Sequence, residues 1–317
     1  MENDPRRRLV EKIRRGDVAA AARLIRDIDN EAPAARPILK ALYAHTGKAH
    51  IVGITGSAGV GKSTLTAGLT RIARNSGRSV GVIAVDPTSS RTGGAILGDR
   101  IRMRRHADDD AVFIRSLAGR GHGAGLSHAA YGAITVMDAM GKDIVFVESV
   151  GAGQDEVEIA HLVQTTVVVL APNMGDSVQS FKAGIMESAD IFVVNKSDLA
   201  GADRTAADIR NLLDTASPVS AAWMPVVLCV SALKNETLAP LMQTLDRHRK
   251  CRAARAGRLH RRRMFAVLGL LLRHLVWREL EDRIVNEGTC NALVDEICRR
   301  ETDPYSAAEK LKRRLMS

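Results

Sequence analysis

The stretch that most constrains the fold runs from Gly56 to Thr64, GSAGVGKST, and fits the pattern G-x-x-x-x-G-K-[ST]. Its context matters as much as its letters. A short apolar run, His50 to Thr55, precedes it and reads as a buried strand, and Thr64 to Arg74 reads as a helix. A glycine-rich turn between a buried strand and a helix is the setting of a phosphate-binding loop. The glycines let the backbone curl so that its N–H groups face a phosphate, and the helix N-terminus adds a favourable dipole. Gly56, Ser57, Ala58, Gly59, Val60, Gly61, Lys62, Ser63 and Thr64 are therefore the expected cradle. Lys62 is expected to reach the β- and γ-phosphates and Ser63 to ligate Mg²⁺, so the expected ligand is a nucleoside triphosphate.

The segments that follow predict the architecture. HIVGIT, SVGVIAVDP, AVFIRS, DIVFVESVG, TTVVVLAP, DIFVVNKSD and PVVLCVSA are apolar, β-rich runs separated by helical stretches. Unbroken apolar runs are expected for strands covered on both faces of a parallel sheet. Strand–helix alternation after a phosphate loop predicts an α/β domain with a mostly parallel, doubly wound sheet, binding nucleotide at the carboxyl ends of the strands. Residues 1–49 predict a helical N-terminal extension, broken at Gly16-Asp17 with Asp17 as the cap of the second helix. The nucleotide-binding domain is expected over 50–248. Residues 249–317 show no strand alternation, and Leu268, Leu271, Leu272, Leu275 and Val276 form an apolar stripe suited to a dimerisation arm.

Composition removes several classes. Aromatic residues are only 3% of the chain, which disfavours base stacking on nucleic acid despite a net charge of +10. Much of that charge lies between Arg247 and Arg263 and is read as a solvated helix face. Cys229, Cys251, Cys290 and Cys298 form no C-x-x-C pair, which argues against a zinc site or a disulfide framework. MENDPRRR lacks the apolar core of a secretory signal, and the run Met264 to Leu272 is too short to span a bilayer. The expected location is the cytoplasm, with no membrane partner.

Three further motifs sharpen the chemistry. Asn195-Lys196-Ser197-Asp198 fits N-K-x-D at a strand end, and the Asp198 carboxylate can accept from both N1–H and the exocyclic amine of guanine. Adenine lacks that donor pair, so an ATP complex would leave the carboxylate unpaired. Ser231, Ala232 and Leu233 follow the next strand, where a backbone contact to guanine O6 is expected. Together these motifs predict GTP. Glu148-Ser149-Val150-Gly151 stands where many GTPases carry Asp-x-x-Gly; Glu148 is expected in the Mg²⁺ shell, the Gly151 N–H at the γ-phosphate, and Gln154 beside the attacking water. Asp86 ends a strand, and Asp99 and Arg102 follow in a segment rich in glycine and charge. The two aspartates are candidates for the metal shell and Arg102 for transition-state charge.

Taken together, GSAGVGKST, AVDPTSSRTGGAILGDRIRM, FIRSLAGRGHGAG, VESVGAGQDE, APNMGDSVQSFKAGIMESAD, VVNKSD and Ser231-Ala232-Leu233 resemble the MeaB/ArgK family of P-loop GTPases, which includes the methylmalonic aciduria type A protein. The resemblance implies a homodimeric GTPase, slow alone and stimulated by a partner. It also implies a chaperone that gates cobalamin loading of an adenosylcobalamin-dependent acyl-CoA mutase and helps eject inactivated cofactor, with a cobalamin adenosyltransferase as a further partner. A switch loop from Gly175 to Lys182 is implied as well, in which Asp176, Gln179 and Lys182 carry signals between mutase and nucleotide. The chain departs from the family at Ala58, where proline is usual, at Asn173-Met174, and at Ser177-Val178. Rival readings are a nickel metallochaperone GTPase, a transport-linked ATP-dependent kinase, and a nucleic-acid-associated GTPase. The isolation of His122 and His128 speaks against the first, and the N-K-x-D motif against the second.

Overall fold

The structure is a computed structural model that describes residues 4–87, 109–119, 125–149, 159–172, 189–215, 223–253, 256–286 and 289–315. It comprises two compact units, Met1–Ala266 and Val267–Ser317.

The first unit opens with α1 (Pro5–Arg14), α2 (Val18–Asp29) and α3 (Ala35–Tyr43). Asp17 caps α2 as the sequence predicts, its carboxylate accepting the Ala20 N–H at 2.9 Å. The strands and helices that follow are β1 (His50–Thr55), α4 (Lys62–Asn75), β2 (Val80–Pro87), β3 (Val112–Gly119), α5 (Gly125–Ala139), β4 (Ile144–Glu148), β5 (Thr165–Leu170), β6 (Ile191–Val194), α6 (Ala202–Thr215), β7 (Val226–Cys229) and α7 (Asn235–Ala253). All described strand pairs are parallel, in the order β3-β2-β4-β1-β5-β6-β7. Each apolar run of the sequence is a strand of this one sheet.

Alternation along the strands explains why the runs are unbroken. Val167 and Val169 of β5 join Ile54, Phe146 and Val193 on one face, against Leu65 and Leu69 of α4 and Leu238 and Leu245 of α7. Val168 and Leu170 join Phe192 and Val194 on the other face, against Ala206 and Ile209 of α6. Both faces are buried, so the polar residues the strands carry stand near their ends and are hydrogen-bonded there. The N-terminal helices add a third packing surface: α2 and α3 lie on α5, burying Leu24, Ile25, Ile28 and Leu42.

Two polar devices lock the amino end of β1. The buried Asp138 of α5 accepts the N–H groups of Gly47 at 2.6 Å, Lys48 at 3.0 Å and Ala49 at 2.9 Å, fixing the α3–β1 connection to α5. At the head of β1, His50 is only 1% exposed, and its Nε2 lies 2.8 Å from the Thr165 hydroxyl. Thr165 lies 2.8 Å from His248 Nδ1, and His248 Nε2 is 3.2 Å from Asp190. The relay joins β1, β5, α7 and the approach to β6.

The last helices are α8 (Ala256–Asn286), α9 (Thr289–Cys298) and α10 (Pro304–Leu315). Within the second unit α9 packs on α10, and the Asp303 carboxylate accepts the Tyr305 and Ser306 N–H groups at the start of α10. Leu268, Leu272, Leu275 and Val276 of α8 are exposed in the single chain. Among the described residues no helix is long and apolar enough to cross a membrane.

Burial, followed by the charge of Arg249, lowers the His50 pKa from 6.5 to about 3. The neutral ring is the folded form, whereas the unfolded chain takes up a proton near 6.5. The contribution is therefore fully present above 6.5 and is lost as pH falls from 6.5 toward 3. In denaturant titrations across this window, His50→Asn is expected to flatten the fall in unfolding midpoint relative to wild type; an unchanged slope would show that His50 is not the titrating group.

Candidate functional site

The phosphate loop is shaped by positions that admit no side chain. Gly56 has φ of 141° and Gly61 has φ of 93°, both in the left-handed region. A Cβ at Gly56 would collide with the Val169 carbonyl of β5, and one at Gly61 with the Asn195 side chain. The loop is thus pressed against its neighbours at both ends. Gly61 caps α4, whose first-turn N–H groups open toward the loop. The Lys62 ammonium is buried and donates to the carbonyls of Gly56 at 2.7 Å and Ser57 at 3.0 Å, spanning the turn it belongs to.

Beside it, the last residue of β4 meets the first turn of α4. The register Ile54↔Glu148 brings Glu148 level with the end of β1. Its carboxylate, 4% exposed, accepts from the Ser63 hydroxyl at 2.5 Å through Oε1, and Thr66 Oγ1 lies 3.1 Å from Oε2. The Thr66 hydroxyl also lies 2.9 Å from the Lys62 carbonyl. Ser149, the next residue, bonds Thr55 at 3.0 Å and ties the two strand ends together. The two residues expected in the Mg²⁺ shell, Ser63 and Glu148, are therefore in direct contact. A hydroxyl and a carboxylate converging at a phosphate loop are hard oxygen donors. Mg²⁺ sites use one or two such groups and leave the remaining positions to water and phosphate, so the residues present fit the ion. Asp86 lies two residues beyond Ala84, which pairs with Glu148, so its backbone stands at the same carboxyl edge.

The N-K-x-D segment and the segment after β7 close the site from the other side. Asn195 follows β6 and is buried. Its amide nitrogen donates to the Val60 carbonyl of the phosphate loop at 2.7 Å, and its amide oxygen accepts the Ala232 N–H at 2.9 Å. One side chain therefore fastens the phosphate loop to the segment after β7. Lys196, at φ 58°, donates to the Gly59 carbonyl at 2.9 Å and lies along the rim. Asp198 is fully exposed; a hydrogen bond from the Ser231 side chain, and then its own backbone N–H, hold its pKa below the ordinary carboxylate value. Thr237 on α7 closes the segment, its hydroxyl accepting the Ser231 N–H at 2.9 Å. Leu233 projects into solvent.

The structure thus gathers Gly56 to Thr64, Glu148, Asn195, Lys196, Asp198 and Ser231 to Leu233 at one edge of the sheet. Asp99, Arg102, Gly151, Gln154, Asp176, Gln179 and Lys182 lie outside the described residues. Sequence reasoning missed Thr66 and Thr237. Thr66 carried a signal, since it sits three residues after Ser63 and so shares its helix face. Thr237 carried none, because its partner is a backbone amide.

Asn195→Ala removes both links and leaves the Val60 carbonyl and Ala232 N–H without their partner. Two net hydrogen bonds of about 1 kcal/mol each correspond to roughly a 30-fold loss of affinity. Fluorescent-nucleotide titration is expected to show that loss for GTP and GDP alike. A loss confined to the triphosphate would contradict the clasp.

The comparisons with known proteins agree with this geometry. The family described as methylmalonyl-CoA mutase-associated GTPase MeaB matches residues 21–289. A Pyrococcus abyssi protein is 43% identical over 97% of this chain and 96% of its own. The Escherichia coli GTPase ArgK is 36% identical over 71% of this chain and 70% of its own. A solved structure described as LAO/AO transport system kinase aligns over the whole of both chains with a TM-score of 0.74 at 24% identity, which shows a shared fold. A phosphate loop clasped to an N-K-x-D segment, on a chain matched by the family over most of its length, makes this protein a P-loop GTPase belonging to the MeaB family.

Proposed function

We propose that this GTPase is a chaperone of an adenosylcobalamin-dependent acyl-CoA mutase, gating cobalamin loading and the removal of inactivated cofactor. The observation that supports the client class is the family match over residues 21–289, since that family is described by its association with methylmalonyl-CoA mutase. In this reading the protein works in the cytoplasm as a homodimer joined through residues 249–317, where the exposed apolar residues of α8 offer a contact face. A cobalamin adenosyltransferase is the source of the cofactor.

The residues divide the work of hydrolysis. The N–H groups of the phosphate loop and the first turn of α4 bind the phosphates. Lys62 exchanges its loop carbonyls for phosphate oxygens. Ser63 and Glu148 would hold Mg²⁺, which would supply neutralisation of phosphate charge. Thr66 fixes the second oxygen of Glu148 and so orients the carboxylate. Asp198 selects guanine. Asp86 and Asp99 support the metal shell, the Gly151 N–H meets the γ-phosphate, Gln154 orients water and Arg102 offsets developing charge. Asp176, Gln179 and Lys182 carry the state of the nucleotide to the mutase. Turnover is slow alone, because catalysis here is positioning plus charge and a partner completes the positioning.

Asp198→Asn is expected to weaken GTP while improving xanthosine triphosphate, whose O2 replaces the exocyclic amine. Competition binding checks this, and an unaltered preference for GTP would contradict the guanine reading. GTP turnover with a cobalamin-loaded acyl-CoA mutase from the same source is expected to exceed turnover of the chain alone, with ATP inert and Lys62→Ala inactive. GTP turnover that ignores the mutase would remove the client while leaving the GTPase intact.

A further inference from the structure

Asp198 stands on an exposed turn after β6, yet reading a base needs its carboxylate held in one place. The turn is tied at its backbone: the Ser197 N–H donates to the Val230 carbonyl at 3.0 Å and the Leu199 N–H to the Lys196 carbonyl at 2.9 Å. The carboxylate itself is bonded by the Ser231 side chain. Where Asp198 points is therefore set by where Ser231 stands, and Ser231 must be fixed from elsewhere.

Thr237 of α7 fixes it. Ser231 is buried, and its N–H donates to the Thr237 hydroxyl at 2.9 Å. That hydroxyl carries one proton, and the Ser231 carbonyl at 2.9 Å and the Lys234 carbonyl at 2.8 Å both lie within its reach. One side chain thus brackets the backbone of the residue that holds Asp198. A buried N–H deprived of this acceptor is costly. Asn195 cannot stand in for it, because its amide oxygen already accepts the N–H of the next residue, Ala232.

Thr237 is in turn seated on the helix that carries the phosphate loop. Its neighbour Leu238 is fully buried and packs against α4 at Gly68, where a Cβ would fall on the leucine side chain and the Ala232 carbonyl also lies close. Leu238 and Leu241 share one core with Leu65 and Leu69 of α4. Arg71, about one turn beyond Gly68, donates to the Asn235 side chain at the first residue of α7. A continuous chain of contacts therefore runs from α4 through Leu238 and Thr237 to Ser231 and Asp198. It is separate from the Asn195 clasp.

We propose that Thr237 is a positioning residue for guanine specificity: its hydroxyl holds the Ser231 backbone so that the Ser231 side chain aims the Asp198 carboxylate at the base. Thr237 acts through Ser231 and not on the nucleotide. The proposal rests on the reading of Asp198 as the guanine acceptor.

The test is calorimetric titration of the full chain with GDP and with inosine diphosphate. The two bases share O6 and N1–H, and hypoxanthine lacks only the exocyclic amine, so the ratio of the two affinities reports the second donor to Asp198. Thr237→Val keeps the side-chain volume and removes the hydroxyl. It is expected to weaken GDP about tenfold. It is also expected to lower the preference for GDP over inosine diphosphate by roughly threefold or more. Thr237→Ser keeps the hydroxyl and is expected to restore both values toward wild type. A role confined to packing would weaken the two nucleotides in proportion, so an unchanged ratio in Thr237→Val would overturn the proposal. So would a Thr237→Ser chain that loses as much as Thr237→Val. Thermal unfolding reports that each variant is folded, and Thr237→Ala gives the same comparison if Thr237→Val is not recovered folded. A wild-type chain that binds inosine diphosphate as well as GDP would overturn the guanine reading and this proposal together. A wild-type preference for GDP that survives Thr237→Val would remove this proposal alone.

Discussion

Every functional segment of this chain depends on the parallel hydrogen bonding of its sheet. Parallel strands all point their carboxyl ends one way, so loops distant in sequence leave from one edge. With β1 between β4 and β5, the phosphate loop emerges beside Glu148, and β5 and β6 carry Asn195 to the same rim. A register slip would move Glu148 off Ser63 and exchange the buried faces of the strands. The apolar content of both faces prevents it: Val167 and Val169 commit to one core, Val168 and Leu170 to the other.

On that frame the site holds charge by mutual satisfaction rather than by solvent. Lys62 and Glu148 are both buried, one bonded to loop carbonyls, the other to two hydroxyls of α4. Burying either alone would be strongly unfavourable. Their bonds hold the loop and the end of β4 in place, so the ligand's incoming charges meet groups already oriented.

Much of this was legible in the sequence because the signals are local. A strand buried on both faces is an unbroken apolar run, and a phosphate loop is a fixed pattern of glycines before a lysine. The cap at Asp17 was readable for the same reason. What was not legible depends on residues brought together from afar. The relay from His50 through Thr165 and His248 crosses three elements. The run from Arg247 to Arg263 read as a solvated face, and Arg249, Arg261 and Arg262 are exposed; that Arg263 is half-buried near Tyr131 and Asp138 depends on a helix far upstream. Thr66 shows an intermediate case, with the right helical spacing but a partner, Glu148, that only the sheet register supplies.

The single amide of Asn195 has a consequence for how such a protein can diverge. Its nitrogen holds Val60, 135 residues earlier in the chain, while its oxygen holds Ala232. The phosphate loop and the segment after β7 thus share one mechanical part. No change at this position can pass without loosening both segments at once. Asp198 has no such double duty: it is exposed and joined to Ser231. Asp198 is thus free to change without disturbing either link, while Asn195 is held by both of its neighbours at once.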